Sequence, residues 1–161
     1  MFAKEREVGY SRDGLVIVRS WTQSAGRRIS TATFESLRNE ILRSGVAKEV
    51  SYAGGMVTQQ WSQAGGFTWP GKDPDLEPTF GSLQIDSRFG NTVGWNILAG
   101  RDFDELIPSD TSSLVINEAA AKQLGMTDPV GETIHWKSKW HFKDKDYKIV
   151  GVVSNLMMKS P

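Results

Sequence analysis

The sequence predicts a domain of mixed α and β structure, and three observations carry that prediction. β-Branched and apolar runs bounded by turn residues recur, most plainly at Leu15-Val16-Ile17-Val18 and Ile149-Val150-Gly151-Val152-Val153. Between them lie two segments of helical character, each followed by a glycine stop at Gly45 or Gly125. The chain of 161 residues is also long enough for one real core, since a domain of this size buries roughly 70% of its unfolded surface.

Taken in order, residues 1–10 have helix-forming composition and meet a stop at Gly9. The turn Ser11-Arg12-Asp13-Gly14 leads into a buried strand expected at 15–20, and Ser24 to Thr31 reads as a polar loop. Thr33 is the expected N-cap of a helix whose Phe34, Leu37 and Ile41 fall at i, i+3 and i+7, with Leu42 widening the stripe. A strand at 46–52 follows, so 15–53 reads as one β-α-β unit. Gly, Gln, Trp and Pro dominate 54–80, where no period persists and a loop-rich insertion with short strands is expected. Leu83 and Ile85 alternate with polar neighbours as in a strand at 81–86, and Phe89 to Val93 fits one helical turn before Trp95-Asn96-Ile97-Leu98. After the acidic loop 102–110, a strand at 113–116 runs to Asn117, which caps the helix Glu118–Leu124. Strands at 132–137 and 147–153 complete the chain, and no internal repeat is evident.

Composition removes several function classes. There is no Cys, so a disulfide framework, a thiolate metal site and a cysteine nucleophile are all excluded. Nineteen Lys+Arg balance nineteen Asp+Glu, spread through both halves, which argues against a dedicated nucleic-acid binder. The apolar runs fall far short of the roughly 18 residues that span a bilayer. The polar opening Met1-Phe2-Ala3-Lys4-Glu5-Arg6-Glu7 does not read as a signal peptide, so a soluble segment is expected.

Each candidate for chemistry meets a physical objection. Gly66-Phe67-Thr68-Trp69-Pro70-Gly71-Lys72 matches the start of a phosphate-binding loop, but Asp73 stands where a hydroxyl should meet magnesium and Pro70 removes a backbone donor. Asp102, Asp104, Glu105 and Asp110 fail as a calcium loop, which would need Gly and Glu where Ile107 and Ser113 stand; a solvated loop is expected. His135 and His141 flank Trp136 and Trp140, yet the intervening Lys137 and Lys139 oppose a cation, and surface histidines are the better reading. No Gly-x-Ser-x-Gly elbow exposes a serine nucleophile. The aromatic and cationic run 135–143 reads as a β-hairpin with one aromatic face rather than a nucleic-acid surface. Trp61, Trp69, Trp136 and Trp140 leave two readings open: core or lobe-joining residues, or an exposed platform for a sugar or peptide in a free-standing binding module.

An ordered set of motifs carries a resemblance. Gly94-Trp95-Asn96-Ile97-Leu98-Ala99-Gly100-Arg101-Asp102-Phe103, then Val115-Ile116-Asn117-Glu118-Ala119-Ala120-Ala121-Lys122, then Asp128-Pro129-Val130-Gly131-Glu132 and finally Ile149-Val150-Gly151-Val152-Val153 resemble the MacB-like periplasmic core domain. That domain lies between the first two transmembrane helices of permeases in the FtsX/MacB group of ABC transporters, and the match is to permeases of Bacteroidetes type. Gly9 to Val16 is similar to the segment that leaves the first membrane helix in such permeases. Where relatives continue the last strand into Asp-Phe-His, this chain has Ser154-Asn155-Leu156-Met157.

The resemblance implies an α+β fold of two lobes. Residues 1–13 would be a lead-in from a membrane helix; 14–53 and 146–155 would form a split β-α-β porter-like lobe, and 54–145 an inserted, sabre-like mixed lobe. It implies scaffold roles for Gly100, Arg101, Phe103, Asn117, Glu118, Pro129, Gly131 and Gly151, with no catalytic residue, cofactor or metal, and ATP hydrolysis in a separate domain or subunit. It further implies a location at the periplasmic face of the bacterial inner membrane. The implied partners are a second permease copy or paralogue, a cytoplasmic ATPase reached through the full-length protein, and a periplasmic adaptor or lipoprotein.

Overall fold

The structure is a computed structural model that describes residues 9, 11, 13–18, 29–55, 62–137 and 144–156. Helix α1 (Thr31–Arg43) is opened by Ser30, one turn earlier than the expected Thr33. Ser30 is extended, and its hydroxyl accepts from the Thr33 backbone N–H at 3.1 Å, so Thr33 is the donor that the cap satisfies. No residue of α1 is fully buried. Its contacts are lateral: Phe34 meets Tyr52 edge to face at 6.0 Å, and the Arg38 guanidinium donates to Glu49 at 2.6 Å and to the Val50 carbonyl at 3.2 Å.

The strands expected on either side of α1 do not form among the described residues. Residues 15–18 are irregular, with Val16 80% and Val18 84% exposed, while 19–20 lie outside the described residues. β-Propensity is realised only where a neighbouring strand supplies a ladder, and here Leu15 packs against Phe89 and Val93 instead. Residues 46–52 are likewise irregular, and pairing is confined to one antiparallel bridge, Ala53 to Ile85. The Asp86 carboxylate takes the Tyr52 N–H at 3.0 Å, and the Asp86 N–H donates to the Tyr52 carbonyl at 3.1 Å. A side chain thus ends the ladder where a strand was expected to continue. The mixed α/β class stands, with its sheets built from the later part of the chain.

Two short strands, β1 (Ser62–Ala64) and β3 (Phe80–Ser82), pair antiparallel. The main sheet holds β2 (Phe67–Thr68), β4 (Ile97–Gly100), β5 (Ser113–Asn117), β6 (Thr133–Trp136) and β7 (Lys145–Val153). Helix α2 (Phe89–Val93) precedes β4, and α3 (Glu118–Leu124) follows β5 directly. β7 carries the sheet. One of its edges pairs in parallel with β5 along 148–153; the other pairs antiparallel with β6 along 145–148 and then with β4 along 151–153. Its residues 149–153 are all buried, and Ile149 is 0% exposed.

The change of partner from β6 to β4 falls at Ile149 and Val150. The Gly131 N–H donates to the Ile149 carbonyl at 2.8 Å and the Arg101 N–H to the Val150 carbonyl at 2.9 Å. Gly100 and Gly151 sit opposite one another there. A Cβ on Gly151 would collide with the Arg101 carbonyl, and one on Gly100 with the Val150 carbonyl. Gly100 also has φ +69°, a backbone state that other residues adopt only under strain.

Two apolar clusters flank this sheet. The larger joins Phe67, Trp69, Leu124, Ile134, Trp136, Tyr147 and Ile149; the smaller is Phe89 and Val93 with Leu15, Leu83, Ile85 and Trp95 around them. The close approach at Gly151 generates a direct test. Gly151→Ala should lower unfolding stability in urea by about 3 kcal/mol, because packed backbone cannot yield to an added methyl. Gly125→Ala, where φ is +69° but the space is open, should cost only about 1 kcal/mol. Equal losses in the two variants would refute the account.

Candidate functional site

The residues that carried the family resemblance gather around the β4–β7 junction. Arg101, just beyond Gly100, makes a two-pronged pair with Asp110: Nη1 to Oδ2 at 2.6 Å and Nη2 to Oδ1 at 2.8 Å. The same guanidinium donates to the Asp102 carbonyl at 2.9 Å. The Asp110 side chain is 7% exposed and also accepts from the Asp104 backbone N–H at 2.8 Å. Hydrogen bonding from Arg101 holds the Asp110 carboxyl below its ordinary range and raises the guanidinium in turn. Phe103 is half-buried, and its backbone N–H donates to the Asp102 carboxylate at 2.7 Å.

The acidic segment is therefore a tied loop, not the freely solvated one expected. Asp102 accepts from the Trp95 indole N–H at 2.9 Å, and burial pushes its carboxyl up from the ordinary value. Asp104 accepts from the Leu106 N–H at 2.8 Å, and Glu105 pairs with Arg88 at 2.5 Å. The second prong of Arg88 reaches Glu35 on α1 at 2.9 Å. Each of the four carboxylates has a partner within the fold, so none is aimed at a shared reacting atom.

On the other edge of β7, Asn117 caps α3, accepting from the Ala120 N–H at 2.9 Å. Asn155, beyond the end of β7, adds a second cap by accepting from the Ala119 N–H at 2.9 Å. Sequence reading missed that partner, because Asn155 is close to α3 only through the β5–β7 pairing. Glu118 is exposed in the first turn of α3, Pro129 is buried, and the Pro129 carbonyl accepts from the Glu132 N–H at 3.2 Å. An open cleft beside the junction is lined by Gly100, Arg101, Gly131, Thr133, Lys148 and Ile149.

The tryptophans resolve in part. Trp69 is 7% exposed and Trp136 8%, which removes both from any exposed platform. Trp136 stacks on Phe67 at 5.0 Å, tilts against Tyr147 at 5.8 Å and donates its indole N–H to the Gly65 carbonyl at 3.1 Å. Their hydrophobic area is spent inside the larger cluster. Trp61, Trp140 and His141 lie outside the described residues. The phosphate-loop lookalike divides into β2 and a turn, in which the Lys72 ammonium donates to the Asp73 carbonyl at 3.0 Å. Among the described residues, no group of three or more His, Asp or Glu is placed to hold a metal ion, and no helix is long and apolar enough to cross a membrane.

A mixed α/β domain, in which Arg101, Asn117 and the glycines of the β4–β7 junction tie strands, loop and helix cap to one another, is the class this geometry defines. The profile of the MacB-like periplasmic core domain matches residues 3–160, and the chain belongs to that family. Among solved structures, it is similar to a domain from a Porphyromonas gingivalis protein described as a permease: 20% identity, TM-score 0.48, covering 67% of this chain and 44% of that one. It is also similar to the periplasmic region of MacB from Actinobacillus actinomycetemcomitans, with 18% identity, TM-score 0.44, and coverage of 68% of this chain and 44% of that one. The chain thus spans less than half the length of either structure. No curated protein sequence matches it.

The Arg101–Asp110 pair predicts an acid-sensitive junction. Because the Asp110 carboxyl is held below its unfolded value, its contribution is present above the ordinary carboxylate range and is lost as pH falls through the lowered folded value. Asp110→Ala should destabilise the domain by about 2 kcal/mol near neutrality and flatten the acid limb of stability against pH. Urea titrations from neutral to strongly acid pH on both proteins test this; an unchanged acid limb in the variant would count against the pair.

Proposed function

We propose that this chain is the periplasmic domain of a bacterial inner-membrane ABC transporter permease, and that it passes ATP-driven motion of the membrane helices to a substrate or partner in the periplasm. It works by shape and stiffness, with ATP hydrolysed in a separate domain or subunit. The substrate is expelled, or a lipoprotein released, by displacement of a rigid body. A second permease copy or paralogue and a periplasmic adaptor or lipoprotein are the partners this reading calls for. Family membership supplies the setting.

The observation that carries the proposal is where the two ends of the described chain meet. Gly9 packs against Asn155 and Leu156 so closely that a Cβ on Gly9 would collide with the Asn155 carbonyl. The Ser11 N–H is bonded to the Val93 carbonyl at 2.8 Å, and the Ser154 N–H to the Asn96 carbonyl at 3.0 Å, so both ends are pinned beside the α2–β4 connection. A domain inserted between two membrane helices needs its entry and exit side by side, and this arrangement supplies that. Under the same proposal, the end of the domain at which Gly9 meets Asn155 faces the membrane.

Adjacency of the ends makes a clean deletion available. In the full permease reconstituted with its ATPase, replacing residues 10–154 with a short Gly/Ser linker should leave ATP hydrolysis within about twofold and abolish transport or release. Transport that survives the deletion would refute the proposal.

A further inference from the structure

His135 stands at the end of the β6–β7 hairpin with a carboxylate on each ring nitrogen. Nδ1 lies 2.8 Å from Asp146 Oδ1, and Nε2 lies 2.8 Å from Asp144 Oδ1. Ionised carboxylates only accept hydrogen bonds, and a neutral imidazole has a single N–H to give. Both contacts can be hydrogen bonds at once only if the ring carries two protons and a positive charge. A neutral ring must turn one nitrogen lone pair toward a carboxylate oxygen, which is repulsive.

We propose that His135, Asp144 and Asp146 form a proton-dependent clasp that fastens the loop end of the β6–β7 hairpin when the imidazole is charged and releases it when the imidazole is neutral. Asp146 is the direct cross-strand partner of His135, and Asp144 lies one residue before β7 begins. The clasp therefore ties two consecutive outward positions of the entering chain to β6. It straddles Trp136↔Lys145, the last pair of the ladder, with Asp146 one pair inside and Asp144 one residue beyond, and at that pair Trp136 enters the larger apolar cluster. Loosening at this point is felt by the aromatic stack on Trp136.

Among the described residues the charges on this face are few. By strand alternation, Lys137, one residue past β6, and Lys148 on β7 share it with His135, and β2 contributes the uncharged Thr68 directly opposite. Two lysines oppose the imidazolium and two carboxylates favour it, but only the carboxylates are in contact. Hydrogen bonding to Asp146 and the charges of both carboxylates raise the imidazole above its ordinary value near 6.5. A raised folded value gives a stabilising contribution that is complete below the unfolded value and is lost as pH rises through the folded one. The clasp is thus shut in mildly acid solution and opens toward alkaline pH.

The three side chains are 45–70% exposed, so every relevant variant should fold and the test can be read on the intact domain. In heteronuclear NMR, wild-type His135 should titrate above 6.5, with both ring nitrogens protonated below the midpoint. Asp144→Asn and Asp146→Asn should each move that midpoint down. Amide exchange at 134–136 and 145–147, corrected for intrinsic rates and referenced to β5, should rise about two- to fivefold as pH passes the midpoint. In His135→Gln the corrected exchange should be flat over the same range. A wild-type midpoint at or below 6.5, midpoints unchanged in both Asn variants, or a pH-independent hairpin in the wild type would each overturn the proposal.

Discussion

Backbone contact between Gly100–Arg101 and Val150–Gly151 is the constraint on which the remainder of this structure depends. Strand β7 serves β6 with its first half and β4 with its second, on the same edge. An edge can change partners within two residues only if the arriving chain comes to contact distance without side chains in the way. The pair of glycines provides that clearance, and Arg101 fixes the arrival by turning immediately into its ion pair with Asp110. Loop 102–112 is then drawn over the junction, which places Trp95, Asp102, Asp110 and the start of β5 in one hydrogen-bonded group.

That organisation explains why an acidic loop beside an open cleft shows no convergent chemistry. The carboxylates differ in their environments: Asp110 is buried and charge-paired, Asp102 is half-buried on an indole, and Glu105 lies at the surface on Arg88. Catalytic pairs need two groups directed at one bond, and here each points to a separate backbone or cationic partner. Electrostatics in this region holds segments together. The Glu35–Arg88–Glu105 bridge extends the same function to α1, which buries no residue of its own and depends on such lateral ties.

How much of this was legible in the sequence depended on how local the cause was. Asn117 and Gly125 bracket α3 because capping is decided within four residues, and α2 ends at Val93 before the left-handed Gly94, though no side chain caps its start. Ser30 and Thr33 offer the same cap chemistry three residues apart, and the sequence alone does not say which of them opens α1. The strands expected at 15–20 and 46–52 do not form among the described residues, because a β-branched run states a preference without naming a partner. Burial of Trp69 and Trp136 was equally hidden, since it follows from β2 and β6 meeting across 68 residues of chain. Arg101 and Phe103 were marked by motif alone; the identity of Asp110 as the partner of Arg101 required the loop to close.

Strand β7 also has a mechanical meaning that its hydrogen bonds do not state by themselves. Nine extended residues make a column about 30 Å long, held along one edge by β6 and then β4 and along the other by β5 from Lys148 onward, with Asn155 at one end and the His135 clasp at the other. Asn155 in turn touches Gly9, so entry and exit share a single foot. A column standing on one foot converts a small tilt at its base into a larger sweep at its tip. In the proposed transporter, the hairpin end of β7 would therefore travel furthest for a given movement of the membrane helices, and the state of the clasp would set how stiffly that tip meets whatever it pushes.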